Sequence, residues 1–465
     1  MRRALHVVDA ERAAAHDAAL WEVRTRRDAA TATVDGFEAL RARAAAIKAR
    51  VLADLPGHLE RFERAAQERG AVVHWARDAA EHNRIVHGLL SERSVRRVVK
   101  SKSMLTEECG LNPYLQQRGI EVTDTDLGER IVQLRDEPPS HIVLPAVHLR
   151  RDDIGRTFER HLGTDEGDDD PVSLTRAARV HLREAFLRAE AGITGVNFAL
   201  ADSGGVVVCT NEGNADLGTV LPPMHIACMG IEKVIGGLDD LGVFTRLLAR
   251  SATGQAITSY TSHFHGPRPD GELHIVLVDN GRSATLADPA FAQSLACIRC
   301  GACLNTCPVY RRTGGHAYEA VIPGPIGAVL APGRDREHDG LPFASTLCGS
   351  CSAVCPVSID LHQQLLSWRG RLVAQGRASV PRPIALLSWL AARPRLYRLS
   401  VAIARLRLWP LPLPGSVRRM LGAWAARRSV PKLSDRSFHA WYRRHGDEHR
   451  DGGGDGGGDG GGGEP

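Results

Sequence analysis

Four cysteines fall within eleven residues, in the run Cys297-Ile-Arg-Cys300-Gly-Ala-Cys303-Leu-Asn-Thr-Cys307-Pro308. The C-x2-C-x2-C-x3-C-P spacing is typical of the run that ligates bacterial 4Fe–4S clusters. Thiolates separated by two residues on a tight loop can reach three corners of one cubane, and Gly301 lets the backbone approach it closely. The fourth cysteine, followed by proline, points away toward a second cluster. The run therefore predicts iron–sulfur chemistry with more than one cluster.

A second run, Cys348-Gly-Ser-Cys351-Ser-Ala-Val-Cys355-Pro356, has the same ending without the first cysteine, and Ser345 stands at the register position of the missing thiol. Two such runs predict a two-cluster ferredoxin unit whose runs exchange their last cysteines. The predicted ligands are, for cluster one, Cys297, Cys300, Cys303 and Cys355, and, for cluster two, Cys307, Cys348 and Cys351. One iron of cluster two then has a non-cysteine ligand or is absent, as in a 3Fe–4S form.

Zinc is the main alternative, because C-x2-C pairs also build zinc ribbons. Zinc sites usually consist of two separated cysteine pairs, which supply four ligands in all. Here one run holds four cysteines and the other three, and each run ends in Cys-Pro. The forty residues from Pro308 to Leu347 favour the helix-rich ferredoxin arrangement of respiratory iron–sulfur subunits over a compact bacterial ferredoxin. Within them, the segment 323–327 predicts a rigid turn, which either punctuates a loop or covers the clusters.

The composition of the 465-residue chain limits its class. Hydrophobic residues make up 43% and charged residues 24%, which excludes a mainly disordered chain. Seven of the ten cysteines lie between Cys297 and Cys355, which excludes an evenly spread disulfide scaffold. The N-terminus, Met1–His6, has no apolar segment of a secretory signal, and no apolar run is long enough to span a membrane. We expect a cytoplasmic protein, with peripheral docking at the inner face of the membrane as an open alternative.

Pattern changes along the chain predict five regions. Short β-rich runs alternate with helix-length segments in the second region, which predicts an α/β domain with a parallel sheet. The predicted strands include 97–100, 141–144 and 205–210. The regions are an N-terminal helical segment (1–60), an α/β domain (61–290), a helical ferredoxin domain (291–360), a basic helical region (361–446) and a disordered Gly/Asp tail (447–465).

Other residues in the α/β domain are weaker candidates. The loops 201–205 and 210–214 flank a strand, where glycine-rich turns commonly hold anions, although they also suit a plain hairpin-like turn. Lys100 and Lys102 would share a face of a strand, either binding an anion or simply solvated. Three cysteines are scattered: Cys209 fits the core, and Cys109 and Cys228 could approach a cluster. No flavin or nicotinamide fingerprint is evident. A protein without a hydride acceptor is expected to carry electrons for a partner, and no catalytic residue is predicted.

The segment from Arg369 to Gly446 carries 17 Lys and Arg against one acidic residue, Asp435, together with several tryptophans. Basic residues beside Trp and Leu suit an amphipathic surface that docks on a membrane or a partner. Helices that pack on the ferredoxin domain with a solvated arginine face fit equally well. The charge also suits nucleic acid, but no known module is present, so we expect no nucleic-acid partner.

Several stretches, taken with the two cysteine runs, closely resemble the lactate utilisation protein B family over about residues 60–446. They are 100–108, 121–129, 195–204 and 210–214. The resemblance implies a LUD domain with a NagB/RpiA-like fold, similar to sugar-phosphate isomerases and glucosamine-phosphate deaminases, followed by an alpha-helical ferredoxin domain. The family has the same three-cysteine second run, so Ser345 is not a departure from it.

The resemblance also implies a function. The family supplies the iron–sulfur subunit of a three-protein bacterial system that oxidises L-lactate to pyruvate and allows growth on lactate. The expected partners are a cysteine-rich heterodisulfide-reductase-like subunit and a short LUD-domain protein. One alternative is an enzyme whose α/β domain itself binds and oxidises a small anionic substrate, with the clusters as acceptors. Another is an electron-transfer subunit for a different 2-hydroxy acid.

Overall fold

The computed structural model describes residues 10–379, 382–405 and 438–445. The chain divides into two compact units, Met1–Ala378 and Ser379–Pro465. The first unit contains the predicted α/β and ferredoxin domains. Its described part begins with three helices: α1 (Ala10–Ala32), α2 (Phe37–Ala53) and α3 (Leu55–Glu68).

A six-stranded parallel sheet forms the centre of the α/β domain, in the order β1-β10-β7-β4-β2-β3. Along the central strand β7, Ile226 and Cys228 join the apolar cluster on one face, whereas Ala227 and Met229 join the cluster on the other. Both faces are therefore buried, as expected for a parallel sheet. The strands are β1 (Val72–Ala76), β2 (Arg97–Lys100), β3 (Glu121–Asp124), β4 (Ala191–Gly195), β7 (Met224–Gly230) and β10 (Glu272–Val278).

Helices cover the two faces of this sheet. Several begin at side chains that accept a backbone N–H three residues on, namely Asp78, Ser103, Asp126 and Asp170. The helices are α4 (Ala79–Glu92), α5 (Met104–Glu108), α6 (Leu111–Gln116), α7 (Leu127–Leu134), α8 (Arg151–Leu162), α9 (Pro171–Arg188), α10 (Asn214–Val220), α11 (Leu238–Thr253) and α12 (Arg282–Leu286), with a short 3-10 helix, Ile231–Lys233. The predicted α/β class is confirmed.

A second, four-stranded sheet has the order β8-β5-β6-β9, with strands β5 (Phe198–Leu200), β6 (Gly205–Thr210), β8 (Val234–Ile235) and β9 (Tyr260–Phe264). The predicted strand 205–210 is confirmed, but its parallel pairing is wrong: β6 runs antiparallel to β5 and β9. Only four residues join β5 to β6, too few for a parallel crossover. Gly204 in that turn has φ 66°, and a Cβ there would lie 2.1 Å from the backbone nitrogen of Ala66.

The predicted strand at 141–144 is also wrong. His141 is buried, and its Nδ1 accepts the backbone N–H groups of Val143 and Leu144 at 3.0 Å each. This side chain takes donors that a strand would use in a ladder. Burial lowers the pKa of His141 to about 3, so the ring is neutral.

Residues 291–378 contain helices and no strand, which confirms the helix-rich ferredoxin. The segment predicted as a rigid turn, 323–327, instead begins a helix, because Pro325 suits the first helical turn. The α-helices are α13 (Ala302–Thr306), α14 (Pro308–Thr313), α15 (Gly324–Leu330), α16 (Ser350–Ala353) and α17 (Leu361–Ala374). The 3-10 helices are Ala292–Ala296, His316–Tyr318, Ala331–Gly333 and Arg336–Phe343.

The ferredoxin and α/β parts share one apolar core, which includes Phe62, Phe244, Cys303 and Trp368. Trp368 of α17 stacks on Phe291 with ring centroids 4.3 Å apart, and its Nε1–H donates to the Val329 carbonyl at 2.8 Å. Helix α17, which opens the predicted basic region, thus packs within the first unit.

The described helices of the second unit are α18 (Arg382–Ala391), α19 (Pro394–Arg405) and α20 (Phe438–His445). They expose large apolar side chains, including Leu387, Leu399 and Phe438. The Gly/Asp tail predicted at 447–465 lies outside the described residues. Among the helices of the described part of the chain, not one has the length and apolar character needed to cross a bilayer.

Candidate functional site

The first cysteine run folds as a tight loop between a 3-10 helix and α13. Two left-handed residues shape it, Arg299 with φ 61° and Gly301 with φ 77°. The Arg299 N–H donates to Cys297 Sγ at 3.4 Å, and Gly301 lies against the buried ring of His141. Cys300 is buried among the apolar side chains of the core. The loop therefore holds sulfur atoms beside backbone donors in a largely dry environment.

The second run repeats this loop. Leu347 (φ 54°) and Gly349 (φ 78°) are again left-handed, at the positions of Arg299 and Gly301. The Leu347 N–H donates to Ser345 Oγ at 3.1 Å, which is the counterpart of the bond from Arg299 to the first cysteine. The Ser345 hydroxyl thus has the local role of the missing thiol.

Cys355, the last cysteine of the second run, lies beside the first run. Cys297, Cys300, Cys303 and Cys355 line one small cavity. Burial raises the pKa of Cys355 to about 11, and nearby Cys297 adds to the effect. The backbone around Cys355 is held firmly: Arg41 donates to its carbonyl from Nε (3.0 Å) and Nη2 (2.8 Å), and the Ile359 N–H donates to its sulfur at 3.3 Å.

The other three cysteines form a second neighbourhood nearer the surface. Burial raises the pKa of Cys351 to about 11, with contributions from Cys307 and Cys348. Cys348 is exposed, unlike the other six. The Thr306 and Ser350 hydroxyls, each one residue before a cysteine, lie 2.5 Å apart and link the two runs.

These two groups fit iron–sulfur clusters. Buried thiols with raised pKa values are protonated when free, and iron replaces the proton when it binds. Their loops supply backbone N–H groups to sulfur, which is how proteins stabilise clusters and tune their potentials.

A cavity of about 310 Å³ lies at the carboxyl ends of the parallel strands and is lined on one side by the first cysteine loop. It includes the crevice between β2 and β4, where the strand order reverses, the usual ligand position in such sheets. Strand ends supply Lys102, Asn197 and Thr210, and the loop supplies Arg299 and Cys300. Cys300, a predicted ligand of cluster one, and residues of the α/β domain therefore line the same cavity.

Most charged groups around this cavity are paired. Arg282 donates to Glu232 at 2.5 Å and to Glu108 at 2.9 Å. Burial alone would raise the pKa of Glu232, but Arg282 and neighbouring cations lower it to about 2. Lys102 donates to Asp126 at 2.7 Å.

Two cations at the cavity, Lys233 and Arg299, are paired less completely. Among the described residues, Lys233 Nζ makes no hydrogen bond and no ion pair within 4.0 Å. Within that same part of the chain, Arg299 Nη1 is buried without a hydrogen-bond partner. Arg299 Nη2 reaches only to 3.8 Å from Glu232. Burial lowers the pKa of Lys233 to about 8, although Glu232 opposes the shift.

The weaker sequence candidates separate into two groups. Lys100 is not solvated and does not line the cavity: it is fully buried, with Nζ 2.8 Å from Asp124, 3.0 Å from Glu107 and 3.8 Å from Glu129. Lys102 does line the cavity, as does the loop 210–214. The loop 201–204 does not, because it lies at the opposite end of β6.

Of the scattered cysteines, Cys209 and Cys228 line the cavity. Cys109 does not line it, and packs with Cys228 in the apolar cluster on one face of the parallel sheet. Sequence reasoning missed Lys233 and Arg299. The signals were present: Arg299 lies inside the first C-x2-C pair, and Lys233 lies three residues after a mostly apolar run that forms a fully buried strand.

Family models match both parts of the chain. One described as the LUD domain matches residues 59–282, and one described as a 4Fe-4S dicluster domain matches residues 293–359. With the two groups of cysteine thiols, these matches define an iron–sulfur protein built from a LUD domain and a dicluster domain. Iron–sulfur clusters, rather than zinc, are its cofactors.

Individual relatives identify the family within this class of iron–sulfur proteins. Lactate utilization protein B of Oceanobacillus iheyensis is 42% identical over 410 residues, which cover 85% of each chain. The Escherichia coli K12 protein named uncharacterized electron transport protein YkgF is 41% identical over 423 residues, which cover 88% of each. The chain belongs to the lactate utilization protein B family, as the sequence resemblance predicted.

A solved structure of a DUF162 family protein from Deinococcus radiodurans is also similar. The match covers 48% of this chain and 98% of that one, with 14% identity and a TM-score of 0.28.

Proposed function

We propose that this protein is the iron–sulfur electron-transfer subunit of a system that oxidises L-lactate to pyruvate. Relatives at about 40% identity carry names for lactate utilization and for electron transport. The observation that carries the proposal is the placement of the two thiol groups. One lies buried against the α/β cavity, and the other reaches the surface at Cys348. This arrangement suits a relay from an interior site to a docked partner.

The proposed ligands follow the exchange of last cysteines. Cluster one takes Cys297, Cys300, Cys303 and Cys355, which line a common cavity. Cluster two takes Cys307, Cys348 and Cys351, with Ser345 Oγ at its fourth corner. The clusters supply one-electron steps, and the chain's own residues hold them, limit water at cluster one and orient donors toward sulfur.

We propose further that electrons come from, or go to, a cysteine-rich heterodisulfide-reductase-like subunit and a short LUD-domain protein. A cytoplasmic location fits the buried thiols, which need a reducing compartment until iron is inserted. The basic, apolar helices of the second unit would dock on a partner or on the inner face of the membrane. Their exposed Leu387 and Trp389 beside arginines support such a surface.

The test is reconstitution. The protein is purified without oxygen, analysed for iron and sulfide, and examined by EPR after dithionite reduction. We expect about eight irons per chain, or about seven with a 3Fe–4S centre. L-lactate should reduce the clusters only when the two partner subunits are added. Stoichiometric zinc without labile sulfide, or clusters that lactate plus partners leaves oxidised, would contradict the proposal.

The second candidate is an enzyme whose α/β domain oxidises the acid itself, which the shared cavity beside Cys300 favours. Oxidation of lactate to pyruvate releases two electrons and two protons, and two clusters can each accept one electron. Lactate-dependent dye reduction by the isolated chain, proportional to its concentration, would select this candidate.

A further inference from the structure

The shared cavity brings together residues that are far apart in the sequence. Its floor is the carboxyl edge of the parallel sheet, and its roof is the loop that holds Cys297 and Cys300. Ile142, Met229 and Leu248 give it apolar walls. A volume of about 310 Å³ admits a small molecule and falls at the lower end of ligand sites.

The unpaired donors of this cavity point to an anion. Within the described part of the chain, Arg299 Nη1 is buried without a hydrogen-bond partner, which is costly for a guanidinium donor. Among the described residues, Lys233 Nζ makes no hydrogen bond and no ion pair within 4.0 Å. Lys233 and Arg299 line the same cavity, and the Arg299 charge helps to lower the pKa of Lys233. A carboxylate between them would satisfy both donors.

The remaining cations are not available for such a ligand. Arg282 is held by Glu108 and Glu232, and Lys102 is held by Asp126 and by the Val143 carbonyl. The cavity therefore offers the Lys233 ammonium and one guanidinium nitrogen of Arg299 without hydrogen-bond partners among the described residues, rather than a broad basic patch. This favours a ligand with one small anionic group.

The cavity has one further polar group, which suits an oxygen atom of the ligand next to its anionic group. Thr210 Oγ1 is buried, lines the cavity, and has no hydrogen-bond partner among the described residues. The Thr210 hydroxyl suits a hydrogen bond to an oxygen on the ligand carbon next to the anionic group. The apolar walls suit a short apolar substituent on that carbon.

We propose that this cavity binds a small 2-hydroxy or 2-keto carboxylate, with its carboxylate between Lys233 and Arg299. The choice of this acid class rests in part on the proposed function. Arg299 joins the site to cluster one, because its backbone N–H donates to Cys297 Sγ while its side chain faces the cavity. Binding is therefore sensed by cluster one and not by cluster two.

The chain offers a matched control. Lys48 is a buried cation that is also coupled to Cys297 and Glu232, and its Nζ donates to the Glu232 carbonyl at 2.5 Å, but it does not line the cavity. Lys233→Gln and Lys48→Gln therefore each remove a cation near cluster one, and only the first removes a proposed ligand contact. Arg299→Gln keeps an unbranched side chain at the left-handed position.

The experiment titrates the anaerobic holoprotein with sodium L-lactate, sodium pyruvate and sodium phosphate by calorimetry, and records the EPR spectrum of reduced cluster one. We expect lactate or pyruvate to bind once per chain and to shift the cluster-one signal. Lys233→Gln and Arg299→Gln should weaken binding about tenfold or more, as expected for a lost charged hydrogen bond, while Lys48→Gln changes it by less than about threefold.

Three results would overturn the inference. They are no binding of either carboxylate, binding of phosphate alone, or equal weakening by Lys233→Gln and Lys48→Gln, which would mean that these lysines only neutralise the cluster. Failure of the proposed function would look different: clusters that partner subunits do not reduce, whatever the calorimetry shows. Variants that lose iron are identified first by iron and sulfide analysis, and Arg299→Lys then tests the charge with the loop intact.

Discussion

The two cysteine runs have nearly the same backbone and very different surroundings. Left-handed residues precede and follow the first shared cysteine in both, at Arg299 and Gly301 and at Leu347 and Gly349. The first run is buried against the α/β cavity, whereas the second has its Cys348 exposed. A short cysteine spacing thus specifies a loop conformation, and the neighbouring elements decide what that loop faces.

The side chains at matching positions of the two runs also differ, in charge and in the atom offered to iron. Arg299 carries a charge into the cavity, and Leu347 at the matching position does not. Cys297 supplies a sulfur where Ser345 supplies a hydroxyl. We interpret the first run as the buried inner centre and the second as the outer centre with one weaker ligand.

The largest effect is expected from removing one thiolate in each run. Cys303→Ser should abolish cluster one, and Cys348→Ser should abolish cluster two, each lowering iron from about eight to about four per chain. Because Cys303 lies in the buried core and Cys348 is exposed, Cys303→Ser should also lower Tm, by about 5 °C or more, and Cys348→Ser by less. Iron analysis and thermal melts measure both. Equal losses of Tm would mean that the two centres are equally buried.

The next largest effect concerns the corner of cluster two that has no cysteine ligand. After brief exposure to air, we expect cluster two to give a 3Fe–4S EPR signal before cluster one decays, because an oxygen ligand holds iron less firmly than a thiolate. Ser345→Cys should suppress that signal, and Ser345→Ala should leave it or increase it. If cluster two resists oxygen as well as cluster one does in the wild type, another ligand holds that corner.

A smaller effect tests the exchange of cysteines between the runs. Arg41 donates twice to the Cys355 carbonyl, so Arg41→Gln should loosen a ligand that lies in the second run but serves cluster one. We expect iron of cluster one to be lost to a chelator about fivefold faster, with cluster two unchanged. Glu38→Gln is the control, because Glu38 pairs with Arg41 at 2.6 Å but does not touch Cys355. Faster loss from cluster two would refute the exchange.

The smallest effect makes the first run resemble the second. Arg299→Leu places at 299 the residue that the second run accepts at 347 with a similar φ, so iron content should not change. Loss of a nearby cation disfavours the more negative reduced cluster, so the midpoint potential of cluster one should fall by roughly tens of millivolts. An EPR redox titration measures the shift. An unchanged potential would show that the Arg299 charge is compensated within the cavity.

Much of this molecule is determined by local sequence. The cysteine spacings and their glycines specify the two loops, because a few residues and their allowed φ values decide whether neighbouring thiols converge. Apolar runs specify the strands of the buried sheet, and Ser345 could be placed by register alone. The family resemblance rests on the same local stretches and is confirmed.

Tertiary structure decided what local patterns leave open. The strand 205–210 pairs antiparallel because its partner is reached by a four-residue turn, and 141–144 is no strand because a buried histidine takes its N–H groups. Lys100 was predicted either to bind an anion or to be solvated, but it lies among three carboxylates of the chain itself. The cavity joins Lys102, Lys233 and Arg299 across almost two hundred residues. Burial and pairing of this kind depend on long-range packing, which the spacing of residues along the chain does not encode.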